Sequence, residues 1–267
     1  MRKYWHVINI GIQNTLVYRT NFLFRATFSL VPLLATIFLW STIYRSKGSG
    51  DVGGYTLSGM ISYYLLVTIV DALTAVTDDD WQIANDIREG TISQFLLKPI
   101  DFLFYRFCLF GANRLIYVAV AVIPVGIFIY FWRENFVFPA TAQLFGWFLL
   151  SIVLTGLLQF FMSYTMALLA FWLLEVSTFI FIVFAFEYVA GGHLFPLNIL
   201  PPAFAAILNY TPFPYLLFFP VSIYLGQLSH DEIMRGLLIQ TLWTVFFYGL
   251  ARFTWSRGIR KYSAVGG

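Results

Sequence analysis

Charged residues are scarce in this chain. Asp, Glu, Lys and Arg make up 11% of its 267 residues, whereas 60% are hydrophobic and 20% are aromatic. Soluble domains carry roughly 25% charged residues, so a soluble fold of this length would lack the polar groups to cover its surface. The composition excludes a soluble globular domain. It predicts an all-α protein that crosses a membrane several times, because the backbone in lipid must satisfy its own hydrogen bonds.

Several other features are missing. The single cysteine, Cys108, excludes an internal disulfide. The net charge of +3 is small and the basic residues lie beside apolar segments, so no nucleic-acid partner is expected. No phosphate-binding loop of the form G-x-x-x-x-G-K-[ST] is present, so we expect the chain not to hold ATP itself. His6, His193 and His230 are far apart, and neither a metal site nor a catalytic or cofactor-binding constellation is expected.

Long apolar segments are abundant instead. A membrane core about 30 Å thick requires about 20 apolar residues per helical crossing. The third and fourth segments are longer than one crossing, and the fifth is short. We predict six transmembrane helices in one membrane domain, residues 1–267, with the spans at about 22–44, 55–76, 102–132, 144–174, 176–189 and 233–255.

The segment 190–228 is apolar but broken by prolines and by a Gly-Gly pair, so it cannot form one continuous helix. Short helices that enter the membrane and return are one interpretation, and a loop lying flat on the lipid is the other. The re-entrant interpretation makes this segment a hypothetical outer gate, marked by Gly191, Gly192, Pro196, Pro201, Pro202, Pro212 and Pro214.

Lys and Arg counts predict the orientation. With six spans both termini lie on one side, which collects Arg2, Lys3, Arg19, Arg88, Lys98, Arg106, Arg252, Arg257, Arg260 and Lys261. The other side holds Arg45, Lys47, Arg133 and Arg235. Both termini are therefore expected in the cytoplasm. Residues 1–20 place Val7, Ile8, Ile12 and Leu16 at helical spacing, which predicts an amphipathic helix on the inner leaflet in contact with membrane lipids.

The cytoplasmic loop 77–99 has two helix-start signals. Thr77 with Asp80, and Thr91 with Gln94, each fit a capping box, and Gly90 is a natural stop between the two helices. The second helix would carry Ile92, Phe95 and Leu96 on one face. That apolar face either packs on this protein's own spans or docks into a groove of a partner.

At this loop the sequence resembles a known family. The run IREGTISQFLLKPID after a second span is similar to the cytoplasmic loop of ABC-2 type exporter permeases. The broken segment GGHLFPLNILPPAFAAILNYTPFPYLLFFPVSIYLG and the tail RFTWSRGIRKYSAVGG resemble the same family, and the order of parts matches over essentially the whole chain.

The resemblance implies a permease of the cell membrane that exports a hydrophobic or amphipathic substrate. It also implies that the loop is a coupling helix seated in a separate ATPase subunit, which would bind the ATP and Mg²⁺. Six spans would be half of a twelve-span assembly, so a second permease copy or a paralogue is implied. The implied contact residues are Ile87, Arg88, Glu89, Gly90, Thr91, Ile92, Phe95, Leu96 and Lys98.

Three ionisable residues, Asp71, Arg114 and Glu187, fall inside predicted spans, where charges are costly and often functional. Asp71 and Arg114 lie at similar depth and could pair, either structurally or as part of a transport path. Glu187 precedes the Gly-Gly break and could serve the outer gate or cap the next turn. Rival functions are a stand-alone channel or secondary transporter, and a membrane-embedded enzyme, for which no His, Asp or Ser cluster can be assembled.

Overall fold

The computed structural model describes residues 2–17, 19–28, 30–48, 51–76 and 79–262. These residues form α-helices and short 3₁₀ turns and no strand, so the all-α prediction is confirmed for them. In chain order the helices are α1 Arg2–Val17, α2 Arg19–Phe28, α3 Leu30–Lys47, α4 Leu57–Thr74, α5 Asp79–Arg88, α6 Ser93–Leu96, α7 Phe102–Phe131, α8 Ala142–Ala167, α9 Ser177–Ala190, α10 Pro202–Leu208, α11 Phe218–Tyr224 and α12 His230–Lys261.

Within the described ranges, four helices are long and apolar enough to cross a membrane, namely α4, α7, α8 and α12. The helices α3 and α9 are apolar but shorter. A polytopic membrane protein is the architecture that such helices define. The helix bounds follow the predicted apolar segments within a few residues at most ends, whereas the count of six crossings stays a prediction.

Side-chain caps set the starts of the long helices. A hydroxyl or carboxylate at the residue before the helix accepts a hydrogen bond from a backbone N–H of the first turn, which has no partner inside the helix. The four caps are Thr56 before α4, Asp101 before α7, Thr141 before α8 and Ser229 before α12. At α12 the Glu232 side chain accepts in return from the Ser229 N–H at 2.8 Å, which completes a capping box.

The bundle has two distinct ends. The end that we call the terminal end contains the loop 79–101, the turn 168–176 and the last turn of α12; Arg88 there donates to the carbonyl of Leu174 at 3.2 Å. The far end contains residues 51–56, 132–141 and 191–229; the Tyr55 hydroxyl there donates to Gln227 at 2.6 Å. The loop 79–101 and the broken segment thus lie at opposite ends of the bundle, whereas their sides of the membrane stay a prediction.

Helix α9 is short because its chain breaks at Gly191. Its 14 residues span about 21 Å, less than a membrane core of about 30 Å. The chain continues through 3₁₀ turns and the short helices α10 and α11, so segment 190–228 is broken as predicted. Residues Phe219–Tyr224 of α11 are buried, whereas most residues from Pro201 to Tyr210 are exposed. Entry of this segment into the membrane stays a prediction.

A buried side-chain amide connects α12 to α8 and to residues 191–229, which we call the far segment. Gln240 is fully buried, and its side-chain NH₂ donates to the Tyr215 carbonyl at 2.9 Å and to the Thr155 hydroxyl at 2.9 Å. Its carbonyl oxygen accepts from the Ser151 hydroxyl at 3.1 Å. A satisfied polar network of this kind fixes the register of the two long helices on the turn between them.

Helix α1 packs along α7. Thr15 is buried and donates to the Asn113 side chain at 2.6 Å, and Gly11 allows close approach, because a Cβ there would lie 3.0 Å from that of Ala112. Of the four residues at helical spacing, Val7, Ile8 and Ile12 are half-buried and Leu16 is exposed. The position of this helix on the inner leaflet stays a prediction.

Candidate functional site

The loop 79–101 is packed onto the terminal end of the bundle. Ile83 and Ile87 of α5 and Ile92 before α6 are buried side chains. They belong to one apolar cluster with residues of α7, α8 and α12 that include Phe102, Leu103, Phe110, Phe160, Tyr164, Leu168 and Ala251. The loop is thus packed against the bundle. Of the predicted apolar face, Ile92 packs on this protein's own helices.

An ion pair fastens the same loop to α7. Arg106 is almost fully buried and pairs with Asp86 of α5, while it also donates to the Gln82 side chain at 2.9 Å. The Thr91 hydroxyl donates to the Asp86 carboxylate at 3.0 Å. The predicted capping box of Thr91 with Gln94 is therefore wrong: α6 begins at Ser93 after Ile92, with no side-chain cap. The other predicted box, at Thr77, lies outside the described residues.

The last turn of α12 holds the bend between α5 and α6. Gly90 has a φ of +77°, a backbone conformation that suits glycine, so its prediction as a helix stop is confirmed. The Tyr262 hydroxyl donates to the Gly90 carbonyl at 3.0 Å and lies 2.8 Å from the Ser93 hydroxyl. The loop and the C-terminal helix therefore form one connected piece.

The N-terminal helix and α12 also contact the loop's end. Lys3 donates to the Pro99 carbonyl at 2.7 Å, and the Tyr4 hydroxyl accepts from the Asp101 N–H at 3.3 Å. The Asp101 carboxylate pairs with Arg252 of α12 at 2.5 Å. Two helices from opposite ends of the sequence, α1 and α12, thus converge on the loop.

One surface of the loop is left uncovered. Leu97 is 88% exposed and Leu96 is 44% exposed, beside the exposed Gln94 and Lys98. We call these four residues, Gln94, Leu96, Leu97 and Lys98, the loop tip. Phe95 beneath them is half-buried, with its ring 5.4 Å from that of Phe102. The loop tip thus exposes two leucines and a lysine on a turn whose other side is packed on the bundle.

The structure divides the predicted contact residues. Arg88, Glu89, Leu96 and Lys98 are exposed; Gly90, Thr91 and Phe95 are half-buried; Ile87 and Ile92 are buried in this chain's own core. A partner can reach the first group directly, whereas the two isoleucines hold the loop in place. Sequence reasoning missed Leu97, because α6 spans only four residues and the periodicity of a longer helix directed Leu97 away from the predicted face.

The predicted intramembrane charges come together around the break of α9. Asp71 of α4 accepts from, or pairs with, the His193 ring nitrogen Nε2 at 3.1 Å. Arg114 of α7 is buried and donates to the Ala72 carbonyl at 3.5 Å. Glu187 is buried and accepts from the Gln159 side chain at 3.1 Å. Glu187 thus contacts α8 through its side chain, and its backbone carbonyl accepts from the Gly191 N–H of the following turn at 2.6 Å.

Two cavities flank this group. The first, of about 290 Å³, is lined by Asp71, Arg114, Tyr117 and Tyr188 together with apolar residues of α3, α4 and α7; we call it the arginine cavity. The second, of about 330 Å³, is lined by Asp71, Gln159, Phe184, Glu187, Tyr188 and His193 together with Thr74, Ala75, Val76 and Leu216; we call it the acidic cavity. Asp71, Tyr188 and His193 form the wall that both cavities share. The His193 ring stacks on Tyr188, with centroids 5.0 Å apart.

The sequence-predicted gate residues lie in the far segment. Gly192 has a φ of +96°, and its carbonyl accepts from the Tyr63 hydroxyl at 2.6 Å. Gly191, Gly192, Pro196, Pro212 and Pro214 are buried, whereas Pro201 and Pro202 are exposed at the start of α10. The turn at Gly191 and Gly192 positions His193, the next residue, in the wall that the two cavities share. Their role as a gate stays a prediction.

Long apolar helices with charged side chains buried among them are the features of a multi-pass membrane protein. A family model described as ABC-2 family transporter protein matches residues 30–266. The chain belongs to this family. Neither the curated proteins nor the solved structures contain a match.

Proposed function

We propose that this chain is the transmembrane permease subunit of an ATP-driven exporter, and that a separate ATPase subunit docks on the loop tip. Family membership supports a membrane component of a transporter that is not itself an ATPase. The single observation that carries the docking surface is the exposed pair Leu96 and Leu97 beside Lys98, on a loop whose other side is buried.

The construction of the loop suits transmission of force. The buried Ile83, Ile87 and Ile92 and the Asp86–Arg106 ion pair connect the loop tip to α7 and α8, and Tyr262 connects it to α12. Movement of a docked ATPase subunit would therefore displace these helices together instead of bending a flexible loop. Interfaces and packed cores tend to shift between discrete arrangements, which is how small displacements are converted into large ones.

The proposal includes the orientation and the assembly. The terminal end would face the cytoplasm, where the ATPase subunit and its ATP and Mg²⁺ are located, and the far segment would face outward. A second copy of this permease or a paralogue would complete the transport path. The cargo would be hydrophobic or amphipathic, because the cavities combine apolar walls with a few polar groups.

The test is co-purification from native membranes. Replacing Leu96 and Leu97 with serine is expected to remove an ATPase subunit that co-purifies with the unaltered chain, since the two side chains would supply the buried apolar area of the contact. The matched control is Leu238→Ser, an exposed leucine of α12 away from the loop. Retention of the ATPase subunit by the Leu96/Leu97 variant would exclude the loop tip as the docking site.

A stand-alone secondary transporter is the second candidate, and the Asp71–His193 pair and buried Glu187 favour it. Intramembrane carboxylate and histidine groups are typical of proton relays in such transporters. Reconstituted vesicles distinguish the two functions. Transport that runs on a proton gradient without nucleotide would establish the secondary transporter, and transport that requires ATP and the ATPase subunit would establish the exporter.

A further inference from the structure

The acidic cavity has an unusual balance of charge for a site among membrane helices. Two carboxylates, Asp71 and Glu187, line it, and His193 is the one basic side chain among the described residues that do so. Glu187 is only 6% exposed and Asp71 is half-buried. Carboxylates at such positions are costly unless positive charge accompanies them.

The charged and titratable groups around His193 come from three helices. Asp71 of α4 and Tyr188 of α9 contact its ring, and Glu187 of α9 lines the same cavity. Arg114 of α7 and Tyr64 of α4 line the arginine cavity on the other side of the shared wall, and the Tyr63 hydroxyl donates to the carbonyl of Gly192 beside it. With both carboxylates and Arg114 ionised, the group is neutral when His193 carries a proton, and it has one excess negative charge when His193 is neutral. Among these described groups, a proton on His193 and a cation in the acidic cavity would each supply the charge that balances the second carboxylate.

The remaining walls match an organic cation better than a hydrated metal ion. Phe184 and Tyr188 bring aromatic rings to the acidic cavity, and aromatic faces attract ammonium groups. Val76 and Leu216 add apolar surface. Within the described part of the chain, no group of three or more His, Cys, Asp or Glu side chains has a metal-binding arrangement.

We propose that the acidic cavity binds the cationic headgroup of an amphipathic molecule, with Asp71 and Glu187 as its counter-ions and the aromatic rings of Phe184 and Tyr188 as its apolar contacts. A proton on His193 competes with the ligand, because either one neutralises the cluster. The role of this site in export rests on the proposed function, whereas the binding itself does not.

The experiment measures binding of radiolabelled phenyltrimethylammonium to the full chain. The chain is purified in dodecyl maltoside, an uncharged detergent, with any subunit that accompanies it. Benzenesulfonate, which carries the opposite charge on a similar ring, is the matched probe. We expect the cation to bind and the anion not to bind. We also expect affinity for the cation to rise with pH between pH 5 and 9, by up to about tenfold per unit while His193 loses its proton.

Three variants locate the site. Glu187→Gln keeps the shape of the side chain and should weaken cation binding about tenfold or more, since it removes one counter-ion. Asp71→Asn should do the same at a half-buried position, which keeps the test valid if the Glu187 variant fails to fold. His193→Gln should abolish the pH dependence. Glu134→Gln, at an exposed carboxylate of the far end, is the control and should bind like the unaltered chain.

The proposal is overturned if the two carboxylate variants bind the cation as tightly as the control, if benzenesulfonate binds as well as the cation, or if affinity does not change with pH. The outcome is independent of the exporter assignment. Cation binding by a chain without any ATPase subunit would leave this site intact and refute the proposed function, whereas an ATPase-associated chain that fails to bind the cation would refute the site alone.

Discussion

Replacing Asp86 with asparagine tests whether the buried ion pair keeps the loop 79–101 rigid. Asparagine retains an oxygen that can accept from Thr91, so the main change is the loss of the charge opposite Arg106. Arg106 is 3% exposed, and an unpaired charge buried to that extent costs about 3–5 kcal/mol. The remaining acceptor on Gln82, at 2.9 Å, and the Phe102 ring, 5.2 Å from the guanidinium carbon, reduce the expected cost to about 2 kcal/mol.

Amide hydrogen exchange measures this cost where it arises. A loss of about 2 kcal/mol in the local opening free energy corresponds to about 30-fold faster exchange. The Ile92 N–H, which donates to the Asp86 carbonyl at 3.0 Å, is the reporter. The amides of α8 should be unaffected. Asp231→Asn, at an exposed carboxylate at the start of α12, is the control and should leave exchange in the loop unchanged.

A second replacement completes a double-mutant cycle. Arg106→Met in the Asp86→Asn background removes the uncompensated charge and leaves an apolar side chain among the aromatic rings, so exchange at Ile92 should return to within about threefold of the unaltered chain. Unchanged exchange in Asp86→Asn would refute the reasoning. The reasoning would also be refuted if the opening free energy lost in the double variant equalled the sum of the losses in the two single variants.

Four other substitutions have definite expected results. Leu97→Ala should weaken binding of the ATPase subunit by 10-fold or more, since a buried leucine contributes about 1.5–3 kcal/mol, and should leave thermal unfolding unchanged. Ile92→Ala, at a fully buried site, should instead destabilise the chain by about 2–4 kcal/mol. Equal unfolding midpoints for the two variants would contradict this difference. Gly192→Ala, with a φ of +96° and a Cβ 2.7 Å from a tyrosine hydroxyl, should cost about 2–3 kcal/mol in unfolding assays, and Gly249→Ala, which has open space, should not. Gln240→Leu should lower stability by about 2 kcal/mol, since it removes the partners of buried acceptors and hydroxyls, and a variant as stable as the unaltered chain would show that the network contributes nothing.

The sequence predicts the long helices well because hydropathy and length determine them directly. The break after Val189 is equally legible, since Gly191-Gly192 and the prolines act on the local backbone. Partners across the fold could not be predicted in this way. His193 lies 122 residues from Asp71, and no spacing rule connects the two. An intramembrane carboxylate signals that a partner is needed, but which helix supplies it depends on packing.

The loop shows the same division at a smaller scale. The sequence of residues 77–99 predicts that the loop exists and carries apolar residues, and the predicted stop at Gly90 is confirmed. The cap at Thr91 was wrong because Asp86, five residues earlier, offers the hydroxyl a charged acceptor that local pattern rules do not consider. The burial of Ile92 and the exposure of Leu97 follow from the position of α7 and α8 beneath the loop, which the sequence of the loop alone does not contain.

The contacts of Lys3 and Tyr262 with the loop have a practical consequence for anyone who labels this protein. Lys3 contacts Pro99, and Tyr262 contacts Gly90, so a fluorescent protein or a bulky purification handle fused at either terminus would emerge beside the loop tip. Such a fusion would obstruct the surface where the ATPase subunit is proposed to bind, and the resulting loss of activity would be an artefact of the fusion. An epitope inserted at residues 137–140, on the opposite end of the bundle, avoids that interference.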